Sequence, residues 1–176
     1  QYPWGDAAPY PGIGPAQRPA QDPQGAAATY VADVGDVRWI FLDNSCWSLS
    51  DCDRFQARAD AGSETQFEFL AKHAKEAQDA GRTVFVVMHM PTFDPRDQDY
   101  TDFTARNHVM GKGVGTTDNR RFEEVAAANG VDGVFLGHIK GQFKYVARGV
   151  PYYIDGGAGG ELYTEGPVGA DHGYWH

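Results

Sequence analysis

Two histidines stand where an α/β chain commonly places chemistry. His89 closes the apolar run "TVFVVM" and is followed two residues later by Pro91, and His138 comes directly after "GVFLG". Each ends a segment of buried-strand type, and in α/β sheets ligand sites gather beyond the carboxyl ends of strands. An imidazole so placed can ligate a metal, move a proton, or serve as an ordinary hydrogen-bonded structural group. Pro91 restricts the residue before it and stiffens the exit from the first strand. Gly137 is expected to let the backbone turn sharply beside His138. Two such strand ends together point to a shared site more strongly than either does alone.

Two residues beyond His138, where a second metal-binding histidine would stand, is Lys140. A protonated ammonium has no lone pair for a cation. It can replace a metal's charge, hold a substrate phosphate, or extend to solvent. His108, in "ARNHVMG", could approach a phosphate as an acid or donor. His73, between Lys72 and Lys75 on an amphipathic helical segment, reads as a surface residue, and Asp94, Asp97, Asp99 and Asp102 read as a solvated acidic face. The run "DGGAGG" follows a hairpin and opens no helix, so it reads as a tight strand connection and not as a phosphate cradle.

The elements that must carry these residues are legible. Residues 1–28 hold six of the ten prolines and read as an extended arm or loop. "TYVADV", the turn pair Gly35-Asp36 and "VRWIFLD" give a β-hairpin signal. In "SETQFEFLAKHAKEAQDAG", Ser63 and Gln66 have capping-box spacing, Phe67, Leu70, Ala74 and Ala77 share one helical face, and Gly81 is a C′ stop. "TDNRRFEEVAAANG" reads as a second helix, stopped by Gly130. A long irregular stretch separates His89 from it, running from Thr92 to about Thr116. Such a connection is uncommon in a compact domain and is usually functional or partner-facing. "FKYVARGVPYYID" reads as a closing hairpin. The expected order is β-β-α-β-α-β-β-β, an α/β fold with a mixed sheet and flanking helices. The domain runs over 29–165, with an aromatic, glycine-rich tail at 166–176.

In series, "GDVRWIFLDNS", "VFVVMHMPTFDPR" and "VDGVFLGHIKGQFKYVARGVPYYIDGGAGG" resemble the calcineurin-like metallophosphoesterases, purple acid phosphatases included, over residues 29–160. The resemblance implies the C-terminal half of that family's α/β/β/α sandwich. It also implies a phosphoester hydrolase in which His89 and His138 ligate one metal of a dinuclear site. Imidazole ligands suit Mn, Zn or Fe, and paired cations stabilise charge on a phosphoryl group. The family's Asp-x-His, Gly-Asp-x-x-Asp and Gly-Asn-His-Asp/Glu motifs are missing here, and Lys140 replaces the second histidine of Gly-His-x-His. The resemblance therefore implies that one metal site is retained and that an upstream half or partner chain must complete the rest. The alternative is a non-catalytic binding or structural module with a degenerate phosphoesterase fold.

Composition bounds these readings. A net charge of -9 argues against nucleic acid as the main partner; the phosphate-ester substrate is what the resemblance implies. No apolar run approaches the roughly 18–20 residues that span a bilayer. Cys46 and Cys52 can form a short-loop disulfide or remain free thiols. With the composition of the arm, the pair leans towards a secreted or extracytoplasmic protein.

Overall fold

The computed structural model describes residues 29–55, 64–95, 109–111 and 116–156. The arm, the tail, His108, Asp97, Asp99 and Asp102 lie outside the described residues. The fold is α/β. Its elements are β1 (Tyr30–Val34), β2 (Val37–Phe41), α1 (Leu49–Phe55), α2 (Gln66–Asp79), β3 (Thr83–Val87), α3 (Asp118–Ala128), β4 (Gly133–Leu136), β5 (Gln142–Ala147) and β6 (Val150–Asp155). They match the expected order with one addition. The short helix α1 forms inside the cysteine segment, where Ser48 Oγ accepts from the Asp51 N–H at 2.9 Å. "SLSD" is thus a cap signal within a segment to which the expected element order assigns no helix.

The strands form one six-stranded sheet in the order β1-β2-β3-β4-β6-β5. The inner four, β2, β3, β4 and β6, run parallel, and β1 and β5 close the edges antiparallel. Both hairpins have the two-residue turns their sequences demand. Gly35 takes a left-handed φ of 58°, and Arg148 and Gly149 take 50° and 84°. Because the inner strands are parallel, their carboxyl ends lie along a single edge of the sheet.

One face of the sheet carries the core. Ile40, Val84, Val86, Val134, Leu136, Tyr152 and Ile154 are buried there with Phe67, Leu70, Ala74 and Ala77 of α2 and Phe122 and Ala126 of α3. Each fully buried Leu, Ile or Val contributes about 1.5–3 kcal/mol relative to exposure. The other face is a half-buried aromatic row. Trp39, Phe85 and Phe135 meet with centroid separations of 5.0–5.7 Å, and Tyr153 stacks on Phe135 at 5.3 Å.

The capping box of α2 falls two residues later than expected, on Thr65 and Glu68. Gln66 is fully buried and is used elsewhere. Its Oε1 accepts from Thr29 Oγ1 at 2.9 Å and from the Asp43 N–H at 2.7 Å, and its Nε2 donates to the Asp43 carbonyl at 2.7 Å. A side chain committed to the end of β2 cannot reach back to cap its own helix. Gly81 and Gly130 end their helices with left-handed φ values of 68° and 67°, as expected. Two polar readings change. Asp94 is buried and not part of a solvated face. His73 is half-buried, its ring against Phe69 at 4.3 Å and its Nδ1 3.0 Å from a Glu76 carboxylate oxygen.

Candidate functional site

The ends of β2, β3, β4 and β6 assemble one cluster. His89 leaves β3 through a clamp set by Asn44, which follows β2 and is fully buried. Asn44 Oδ1 accepts from the N–H groups of His89 and Met90 at 3.1 and 2.9 Å, and its Nδ2 donates to the Met90 carbonyl at 2.9 Å. Both faces of the amide are thus spent on fixing the chain beside the imidazole. Sequence reasoning had not picked out Asn44. The signal present was an amide placed directly after an apolar strand, where a buried side chain must find partners for all its polar atoms.

A second anchor lies just beyond. Thr92 Oγ1 donates to Glu123 Oε1 at 2.6 Å and lies 3.0 Å from the Tyr145 hydroxyl. This ties the segment after Pro91 to α3 and β5. Burial raises the Glu123 carboxyl above the ordinary glutamate range, with partial relief from the Thr92 hydrogen bond and from Arg148 and Arg120. Burial also pushes the Tyr145 phenol upward.

His138 is held differently. The Gly137 N–H donates to the His89 carbonyl at 3.0 Å, continuing the parallel ladder past both strands. The sharp turn expected at Gly137 falls on His138 itself, which has a φ of 63°. A Cβ on Gly137 would meet the His89 ring at 3.5 Å, an ordinary contact. The ladder bond keeps Gly137 in register, so the reversal is displaced onto the next residue. Beyond it the "GHIKG" segment winds tightly. The Ile139 N–H donates to the Gly137 carbonyl at 2.7 Å, and the Gly141 N–H to the Ile139 carbonyl at 2.9 Å. Gly156, at the end of β6, presses against this turn so closely that a Cβ there would collide with the Ile139 carbonyl. Lys140 sits half-buried in the same turn, between fully buried Ile139 and buried Gly141.

The two imidazoles meet. His138 Nδ1 lies 3.1 Å from His89 Nε2, with ring planes at 80°. With a proton between them, one ring donates and the other, neutral, accepts. Two nitrogens each at about 2.0–2.1 Å from one cation are about 2.9 Å apart at a right angle and about 3.4 Å apart at the tetrahedral angle. The observed separation falls between these values, a distance that either a shared proton or a shared cation can hold. Among the described residues no group of three or more His, Cys, Asp or Glu side chains comes together as a metal site. His89 keeps an exposed edge, yet partial desolvation holds its pKa below the ordinary histidine value. That shift favours the neutral, lone-pair-bearing form a metal requires.

The cysteine segment also reaches the site. Cys46 and Cys52 form a disulfide with Cα atoms 5.1 Å apart, which resolves the alternative left open by their spacing. Trp47, next to Cys46, sets its ring on His138 with centroids 6.0 Å apart and planes at 80°. The Gly111 N–H, from the far end of the long connection, donates to the Trp47 carbonyl at 2.6 Å.

No known family's sequence profile matches this chain, and no curated protein does. Among solved structures it is similar to GAP50, described as the anchor in the inner membrane complex of Plasmodium. The identity is 11%, the TM-score 0.47, and the match covers 79% of this chain and 39% of that one. The chain thus spans well under half the length of that protein, and a likeness at this level says nothing of what the chain binds. No helix among the described residues is long and apolar enough to cross a membrane.

Proposed function

We propose that this chain carries part of the site of a metal-dependent phosphoester hydrolase, with His89 and His138 as two ligands of one Mn, Zn or Fe ion. The observation that carries the reading is the 3.1 Å separation of their facing nitrogens at the carboxyl ends of adjacent parallel strands. A cation bound there supplies Lewis-acid chemistry towards a phosphoryl oxygen. The chain's own residues do the rest. Asn44 and the Gly137–His89 ladder bond fix the two imidazoles, and Lys140 offers a positive charge to a phosphate where the family resemblance has a second metal ligand. His108 is the remaining candidate acid or donor.

A complete site needs further carboxylate and imidazole ligands, supplied by an upstream half of the domain or by a partner chain. The aromatic row of Trp39, Phe85, Phe135 and Tyr153 supports this, since a half-buried apolar sheet face is what a second layer packs on. On this reading the fold is the C-terminal half of an α/β/β/α sandwich. The disulfide supports a secreted or extracytoplasmic setting.

The test is metal content. Protein purified at its natural length and loaded with Mn²⁺ or Zn²⁺ is expected to lose bound metal, by mass spectrometry, on His89→Ala or His138→Ala substitution. Metal content equal to wild type in both variants overturns the assignment. A second reading, a binding module that kept the fold and lost the chemistry, is favoured by Lys140 standing in place of a donor. Metal uptake without any hydrolysis of phosphate monoesters or diesters would select it.

A further inference from the structure

Among the described residues, three other than glycine adopt a left-handed backbone: Trp47 at φ 74°, His138 at 63° and Arg148 at 50°. Arg148 is accounted for by the two-residue turn between β5 and β6, where Ala147 pairs with Val150 and Gly149 shares the conformation. The other two belong to loops far apart in sequence, and their rings are in contact. A bulky side chain at positive φ is costly, and such residues persist where the surroundings over-determine them, most often at functional sites.

The surroundings of Trp47 do over-determine it. Its N–H donates to the Asn44 carbonyl at 3.1 Å, and its carbonyl accepts from the Gly111 N–H at 2.6 Å. The residue before it is cross-linked to Cys52, which is fully buried in α1. All this fixes the backbone, while the side chain stays out of the core. Trp47 is 40% exposed. Val34 and Val146, the other large apolar residues with comparable exposure among the described residues, belong to the two edge strands of the sheet. A loop needing only the left-handed turn would take Gly or Asn at this position. An indole held there and left open beside His138 is arranged to meet something that arrives at the histidines.

We propose that Trp47 is a specificity-determining platform of the His89–His138 site, selecting phosphoesters whose ester group is a flat aromatic ring. The disulfide and Asn44 position it. The inference rests on the phosphoesterase reading and adds the substrate class to it. Stacking of one ring on another adds about 0.5–1.5 kcal/mol beyond area burial, which is about a 2- to 12-fold change in affinity.

The experiment compares phenylphosphonate with cyclohexylphosphonate, similar in size and charge but not flat, by calorimetry on the Mn²⁺-loaded protein. Wild type is expected to bind the phenyl compound at least threefold more tightly. Trp47→Ala should bring the ratio close to one, and Trp47→Phe, which keeps a ring, should preserve most of it. Equal affinities in wild type, or an unchanged ratio in Trp47→Ala, overturn the platform while leaving the metal assignment standing. Failure of the wild type to take up Mn²⁺ or either phosphonate overturns both readings. Circular dichroism of each variant establishes that the ratio is read on folded protein.

Discussion

The peptide N–H of Gly137 donates to the carbonyl oxygen of His89 at 3.0 Å, and the next residue's ring lies 3.1 Å from the His89 ring. The two strand ends therefore meet twice, through backbone and through side chain. The first contact fixes the register of β3 on β4 beyond the last strand residue. The second depends on His138 entering a conformation that most residues avoid, so the geometry of the imidazole pair is maintained against a local backbone preference.

His138→Gly tests that balance. Glycine adopts a φ near 63° freely, whereas an ordinary L-residue loses about 1–2 kcal/mol there. In metal-free protein the variant should unfold at a higher denaturant concentration than wild type, by about 1 kcal/mol, and it should lack the metal uptake proposed for wild type. His89→Ala should lose metal without that gain, because His89 has no left-handed backbone to relieve. A His138→Gly variant less stable than wild type would show that the turn carries no penalty.

Asn44→Ala tests the clamp. It strips two peptide N–H groups and one carbonyl of their partner in a buried place. Unsatisfied buried groups cost about 1–3 kcal/mol each, and partial relaxation should bring the loss to about 3 kcal/mol. Chemical denaturation measures this. Metal affinity should fall in parallel, although Asn44 is not proposed as a ligand. A loss below about 0.5 kcal/mol, the usual range for surface changes, would mean the clamp is dispensable.

Glu123 gives a pH dependence with a definite sign. Burial raises its folded-state pKa above the unfolded value, so between the two the folded protein holds more proton than the unfolded chain. Its contribution is intact below the ordinary glutamate pKa and is lost as pH rises through the raised one. Glu123→Gln keeps an acceptor for Thr92 Oγ1 and removes the charge. Thermal melts should therefore show the variant at least as stable as wild type at pH 7, with the difference shrinking towards pH 4. A difference that does not change with pH would mean that Glu123 ionises as freely in the folded state as in the unfolded chain.

Most of the architecture was legible before any coordinate. Apolar runs of strand length, the Gly35-Asp36 turn, the closing hairpin and the glycine stops at Gly81 and Gly130 are local signals, and short-range sterics decide them. The sequence also determined that His89 and His138 each end a strand, because period and punctuation place the strand ends. It did not disclose α1, since a seven-residue helix has too little periodicity to separate from a loop.

What only the tertiary structure decided is which strand ends are neighbours and which side chains they bring together. The order β2-β3-β4-β6 sets Asn44, His89, His138 and Gly156 along one edge, and nothing local to any of them encodes that adjacency. Gln66 was assigned to a cap by its spacing, yet the end of β2 offered it stronger partners. Gly137 drew attention as a glycine, yet the ladder bond to His89 moved the left-handed turn onto His138. Nothing local to Trp47 places it against His138; the fold alone does so. For Gln66 and Gly137 a long-range hydrogen bond outweighed a local preference of about 1 kcal/mol, because buried polar groups left unpaired cost more than that.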